Sequence, residues 1–131
     1  MATIVTIKDK VNLGTTTNEI KVSFESESIT VKDLIEARVR KEVDDYNTRL
    51  PEYFRGLVQP VNAEATLNGY RIKDRKPVDA EKQIYVALDA FQKNSYFVLV
   101  NNKQVDSLDQ EVRISSTTNV SFMKLTPLIG G

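Results

Sequence analysis

Gly130 and Gly131 close the sequence, and a carboxylate that follows two residues without side chains can thread a cleft too narrow for other peptide ends. At an average glycine frequency of about 7%, two in succession at a given place arise by chance roughly once in 200 chains. Only Gly14, Gly56 and Gly69 precede the pair, so the background here is thinner still. A trimmed or tagged end leaves the same two residues; otherwise the pair is a main-chain handle for another protein's chemistry. Side-chain chemistry is poorly provided for. With no Cys there is no thiolate nucleophile, disulfide or sulfur ligand, and with no His the usual base near neutral pH is missing. Asp44-Asp45 falls on a polar helix face and Lys73 to Lys76 in a polar stretch, so both read as solvated charge. No metal site and no cofactor are expected, and the chain is read as not an enzyme.

A length of 131 residues fits one domain and can bury a core without staples. Apolar residues at 40% and charged residues at 27% describe a globular chain rather than a disordered one. Eighteen acids balance eighteen bases, so no global field steers the chain to nucleic acid or an anionic membrane. No apolar run approaches the roughly 18 residues of a membrane span, and Met1 to Val5 has no secretory character. The expectation is a cytoplasmic protein with no nucleic-acid or membrane partner.

The elements that must position the diglycine follow from periodicity. Thr3 to Lys8 is rich in β-branched residues and reads as a strand. Asn12 to Asn18 reads as a loop, and Ile20, Val22 and Phe24 then alternate with polar residues as a second strand, giving a hairpin with a long connection. Thr30 is placed to cap a helix by accepting from the Asp33 amide. Ile35, Val39, Val43, Tyr46 and Leu50 form one stripe, with Lys32, Glu36, Arg40, Lys41 and Asp44 outward and Pro51 closing the helix.

Residues 51 to 77 read mostly as loop, with a short hairpin around Ala65 to Ile72 turning at Asn68-Gly69. Asp79 caps a second helix carrying Ile84, Ala87, Leu88 and Phe91 on one side and ending near Asn94. Tyr96 to Val100 is expected as a central strand, with Asn101 to Gln104 as a tight turn into Val105. Leu108, Val112 and Ile114 lie in a polar connection. Val120 to Leu125 is the last strand, running into Thr126 to Gly131.

Strand, strand, long helix, apolar strand with an Asn turn, and a final strand followed by Pro127-Leu128-Ile129-Gly130-Gly131: this order resembles the β-grasp ubiquitin-like proteins. The local match is to the MoaD and ThiS sulfur carriers and the ubiquitin-related modifier, carried by Val98-Leu99-Val100-Asn101 and by Val120 to Leu125 with the tail. It covers residues 3–50 and 96–131. The resemblance implies an α+β fold of the β-grasp type, a mixed sheet packed on a main helix, in a single domain of residues 1–131. Residues 51–95, with the second helix, are an insertion, and 126–131 are an extended tail. Bacterial ubiquitin-like modifiers encoded beside an activating enzyme, a conjugating enzyme and a deconjugating metallopeptidase are similar in ending on their own diglycine.

The function this resemblance implies is a protein modifier whose Gly131 carboxylate is adenylated by an activating enzyme, which uses the ATP, and is then joined to target proteins. Gly130 and Gly131 are the residues of activation. Pro127 holds part of the tail extended before it binds. Leu125, Leu128 and Ile129 either pack on the parent sheet or give the activating enzyme its grip. Two alternatives stand beside it: a sulfur carrier with a terminal thiocarboxylate, and a β-grasp module that binds without covalent chemistry.

Overall fold

The computed structural model describes residues 2–12, 14–49, 53–54, 63–66, 69–72 and 77–124. In chain order the elements are β1 (Thr3–Asn12), β2 (Thr15–Phe24), β3 (Ser28–Thr30), α1 (Val31–Arg49), β4 (Tyr53–Phe54), β5 (Ala63–Thr66) and β6 (Gly69–Ile72). There follow α2 (Ala80–Gln92), β7 (Tyr96–Val100), β8 (Lys103–Gln104), β9 (Glu111–Arg113) and β10 (Asn119–Lys124). The architecture is mixed α+β. A five-stranded sheet has the order β2-β1-β10-β7-β8; β3 pairs with β9, and β4, β6 and β5 form a third sheet.

Alternation sets the two faces of the main sheet. In β1, Val5 and Ile7 are fully buried while Ile4, opposite Ser23 of β2, is 58% exposed, so every second side chain enters the core. Val22 and Phe24 of β2, Tyr96 and Val98 of β7, and Val120 and Phe122 of β10 fill the same layer. Helix α1 covers that layer with Leu34, Ile35, Val39, Val43 and Tyr46, all buried in one cluster with the strands. The expected stripe is therefore in place from Ile35 to Tyr46, while Leu50 and Pro51 lie outside the described residues.

The start of α1 is a reciprocal cap. Thr30 Oγ1 accepts from the Asp33 amide at 3.1 Å, as expected, and the Asp33 carboxylate accepts from the Thr30 amide at 3.1 Å. The next two amides, of Val31 and Lys32, donate to the carbonyls of Gln110 and Leu108, so the connection before β9 closes the helix end. Asp79 caps α2 by accepting from the Glu81 amide at 3.0 Å. At the far end Asn94 takes a positive φ of 60°, the left-handed turn that stops a helix.

Four expectations need correction. The loop foreseen over Asn12 to Asn18 is mostly strand: β1 runs on to Asn12, which pairs with Thr15, because Thr15 to Thr17 are β-branched residues that suit a ladder. Strand β7 is not central, since β10 occupies the middle of the order and β7 lies between it and the two-residue β8. Within 51 to 77, β4 joins the β5–β6 hairpin as a third strand; the hairpin itself pairs Thr66 with Gly69, close to the expectation. The connection holding Val112 contains β9, which pairs Ile29 with Val112 and buries both.

The two helices are joined through polar side chains. Asn47 donates to the Val78 carbonyl at 3.1 Å and accepts from the Val78 amide at 2.8 Å. Arg40 meets Glu81 at 2.7 Å on the surface. Ile84, Ala87 and Phe91 supply the buried side of α2, with Leu88 half-buried beside them. Among the described residues, no helix is long and apolar enough to cross a membrane.

Candidate functional site

Strand β10 is the element that precedes the diglycine tail, and it is held from both sides. Parallel pairing with β1 runs from Thr6↔Asn119 to Lys10↔Met123. Antiparallel pairing with β7 runs from Val120↔Val100 to Lys124↔Tyr96. The start of β10 is tied to the β7–β8 turn, where Asn101 and Asn102 take φ of 51° and 68°, the pair of positive values that a tight hairpin needs. Asn101 accepts from the Asn119 amide through its side chain at 3.0 Å and donates its own amide to the Asn119 carbonyl at 2.8 Å.

Near the end of β10 the helices and the sheet converge on Phe122. Its ring stacks on Tyr96 with centroids 5.7 Å apart, and Tyr96 tilts against Phe91 of α2 at 6.0 Å. The Arg38 guanidinium sits 4.6 Å from the centre of the Phe122 ring. Arg38 is 1% exposed, and its charge is met by two carboxylates. Nε lies 2.9 Å from Glu42 Oε2, one turn on along α1. The two terminal nitrogens engage both oxygens of Asp9, with Nη2 at 2.6 Å from Oδ2. Burial works against this charge, yet Glu42 and Asp9 together outweigh it and hold the Arg38 pKa above its ordinary value. The Asn18 amide group also donates to Asp9 at 3.4 Å, so β2 joins the network.

Lys124, the last described residue, is exposed, but the protein crowded around its ammonium lowers its pKa, against the opposing pull of Glu42 and Asp9. Tyr96 donates its hydroxyl to the Ala87 carbonyl at 2.7 Å. Burial raises its pKa well above the ordinary value, with Arg38 opposing and Glu42 adding. A group protonated more tightly in the folded state contributes stability at neutral pH that is lost as pH climbs past the unfolded value of about 10. Alkaline titration followed by circular dichroism is expected to show the melting midpoint falling above that pH. Tyr96→Phe is expected to blunt the fall and to cost about 1 kcal/mol at neutral pH, and an unchanged alkaline profile would refute the assignment.

Comparison with family models, curated proteins and solved structures finds no match for this chain. The site therefore rests on its own residues. Leu125, Pro127, Leu128, Ile129, Gly130 and Gly131 lie outside the described residues; what is placed is the strand that precedes them. Of the two charge groups read as solvated, Asp44 is exposed and Asp45 pairs with Lys41 at 3.2 Å, while 73–76 lie outside the described residues. Among the described residues, no group of three metal-ligating side chains is assembled.

The Asp9–Arg38–Glu42 network escaped the sequence reading. The signal was present: Arg38 stands three residues after Ile35 and Glu42 three after Val39, which puts both on the buried side of α1. Asp9 is two residues after Ile7 and shares its inward face.

Proposed function

We propose that the chain is a β-grasp, ubiquitin-like protein modifier and that the Gly131 carboxylate is the group activated by partner enzymes. The observation that carries this reading is the position of β10: the strand continued by Leu125 to Gly131 lies in the middle of the sheet, parallel to β1 and antiparallel to β7. Strand, strand, long helix, an apolar strand with an Asn turn and a final strand is the chain order the resemblance implies, and β1, β2, α1, β7 and β10 keep that order. Helix α2, clamped to α1 through Asn47 and Val78, agrees with an insertion between the main helix and β7.

In this reading a Gly131 carboxylate oxygen attacks the α-phosphorus of ATP in an activating enzyme. Pyrophosphate leaves and an acyl adenylate forms. An enzyme thiolate then attacks the acyl carbon, and AMP departs with the bonding electrons. A target amine finally displaces the thiolate, its proton passing to a base of the conjugating enzyme, and an isopeptide bond remains. The chain is a cosubstrate throughout and none of its side chains reacts. Glycine at 130 and 131 leaves the backbone free to lie against the nucleotide, Pro127 limits the conformations to be lost on binding, and Leu125, Leu128 and Ile129 offer apolar contact to the groove.

The test is incubation with an activating enzyme of this class and ATP, read by intact mass. The expected result is an ATP-dependent adduct and, with target proteins, a ladder of conjugates, both abolished when Gly131 is deleted. Exchange of one oxygen for sulfur would make the chain a sulfur carrier instead. Partner binding that ignores the deletion, with no adduct, would overturn the covalent reading.

A further inference from the structure

We propose that the outer edge of β2 is a docking surface for a second copy of this chain, pairing antiparallel about a two-fold axis at Ile20. Strand β2 is ten residues long and stands at the end of the sheet order, with β1 as its neighbour on one side. Among the described residues no strand pairs with its other side, so a row of main-chain donors and acceptors is available to a partner strand.

The side chains decide which strand fits. When two copies of one strand pair antiparallel across a two-fold axis normal to the sheet, the axis falls on a residue, and residues equally far on either side of it stand opposite one another. An axis at Ile20 sets Glu19 against Lys21 of the second copy and Lys21 against its Glu19, with Ile20 meeting Ile20 on the core side. Shifting the axis by one residue brings Glu19 against Glu19 or Lys21 against Lys21, and like charges directly opposite are unfavourable. Only the register at Ile20 pairs opposite charges at both positions. Glu19 and Lys21 are exposed, and neither makes an ion pair among the described residues.

The structure also limits the length of the contact. A bulge places Thr17 between Asn18, which pairs with Asp9, and Thr16, which pairs with Lys10. The straight stretch from Asn18 to Val22 is the part symmetric about Ile20. Five residues on each side bury less than the about 800 Å² per partner of a typical stable complex, so association is expected to be weak and concentration-dependent. The two copies then share one ten-stranded sheet with both α1 helices on the same face.

Sedimentation velocity over roughly 5 to 500 µM, at about 50 mM salt so that surface pairs are little screened, tests the inference. The wild-type chain is expected to dimerise with concentration. Glu19→Lys and Lys21→Glu should each weaken the dimer by about tenfold or more, since each turns two attractive pairs into two repulsive ones. The double variant E19K/K21E should regain wild-type association, and an equimolar mixture of the two single variants should associate although neither does so alone. Circular dichroism should be unchanged in all of them, both side chains being exposed. A wild-type chain that stays monomeric across the range overturns the proposal, as does a double variant no better than the singles, or association that ignores all the substitutions.

Discussion

Replacing Arg38 with methionine is expected to lower stability by about 3–5 kcal/mol, because it leaves the buried Glu42 and the partly buried Asp9 without their cation. Methionine nearly fills the volume, so little of the loss comes from a cavity. Against the about 5–15 kcal/mol that keeps a domain folded, this is a large share, and the melting temperature should fall by roughly 10–15 °C. The companion variant Asp9→Asn/Arg38→Met/Glu42→Gln removes all three charges together. It is expected to recover most of the loss, since a network without charge has no ion to leave stranded. Urea unfolding of the two variants separates the causes. Equal losses in the single and triple variants would mean that Arg38 acts through packing on Phe122 and that the ionic account is wrong.

On the proposed reading of the chain as a modifier, Gly130→Val is expected to reduce activation of the tail at least about 100-fold in kcat/KM while leaving the melting temperature unmoved. Valine restricts the backbone at the penultimate position and adds two methyl groups beside the reacting carboxylate, where a displacement of about 1 Å from the in-line geometry costs about that factor. The mutated position lies outside the described residues, six positions after the end of β10 at Lys124. ATP–pyrophosphate exchange with increasing variant measures the effect. Gly130→Ala should lie between wild type and valine, and a variant as active as wild type would remove the argument that bare backbone is needed there.

The parts of the fold that the sequence revealed were those where one periodicity ran long enough to dominate. Ile35, Val39, Val43 and Tyr46 announce α1 because four positions over about three helical turns repeat the same sign, and Thr30 with Asp33 is a local device read from four consecutive residues. The Ile20, Val22 and Phe24 alternation marked β2 but not its start: Asn12, Gly14 and Asn18 read as loop, whereas pairing with the far end of β1 extends the strand to Thr15. Strands β3 and β9 are three residues each, too short for any period, and exist because each is the other's partner across a long stretch of chain. Arg38 was obscured for a different reason. Sorting by hydropathy sends an arginine to the surface, and only the geometry of Asp9 and Glu42 makes it a core residue. The diglycine itself was visible at once, being a matter of two letters; the strand order that places β10 at the centre of the sheet was not, since neither parallel pairing nor order has a local signature.

The adjacency of β1 and β10 also imposes a timetable. Thr6 finds its partner in Asn119, so more than a hundred residues must be synthesised before the first strand acquires its inner neighbour. A nascent chain holds only the opening hairpin and a helix with one uncovered flank, and contacts this remote slow the search for the native arrangement. A translation product cut short before Asn119 therefore lacks both the inner neighbour of β1 and the segment beyond Lys124.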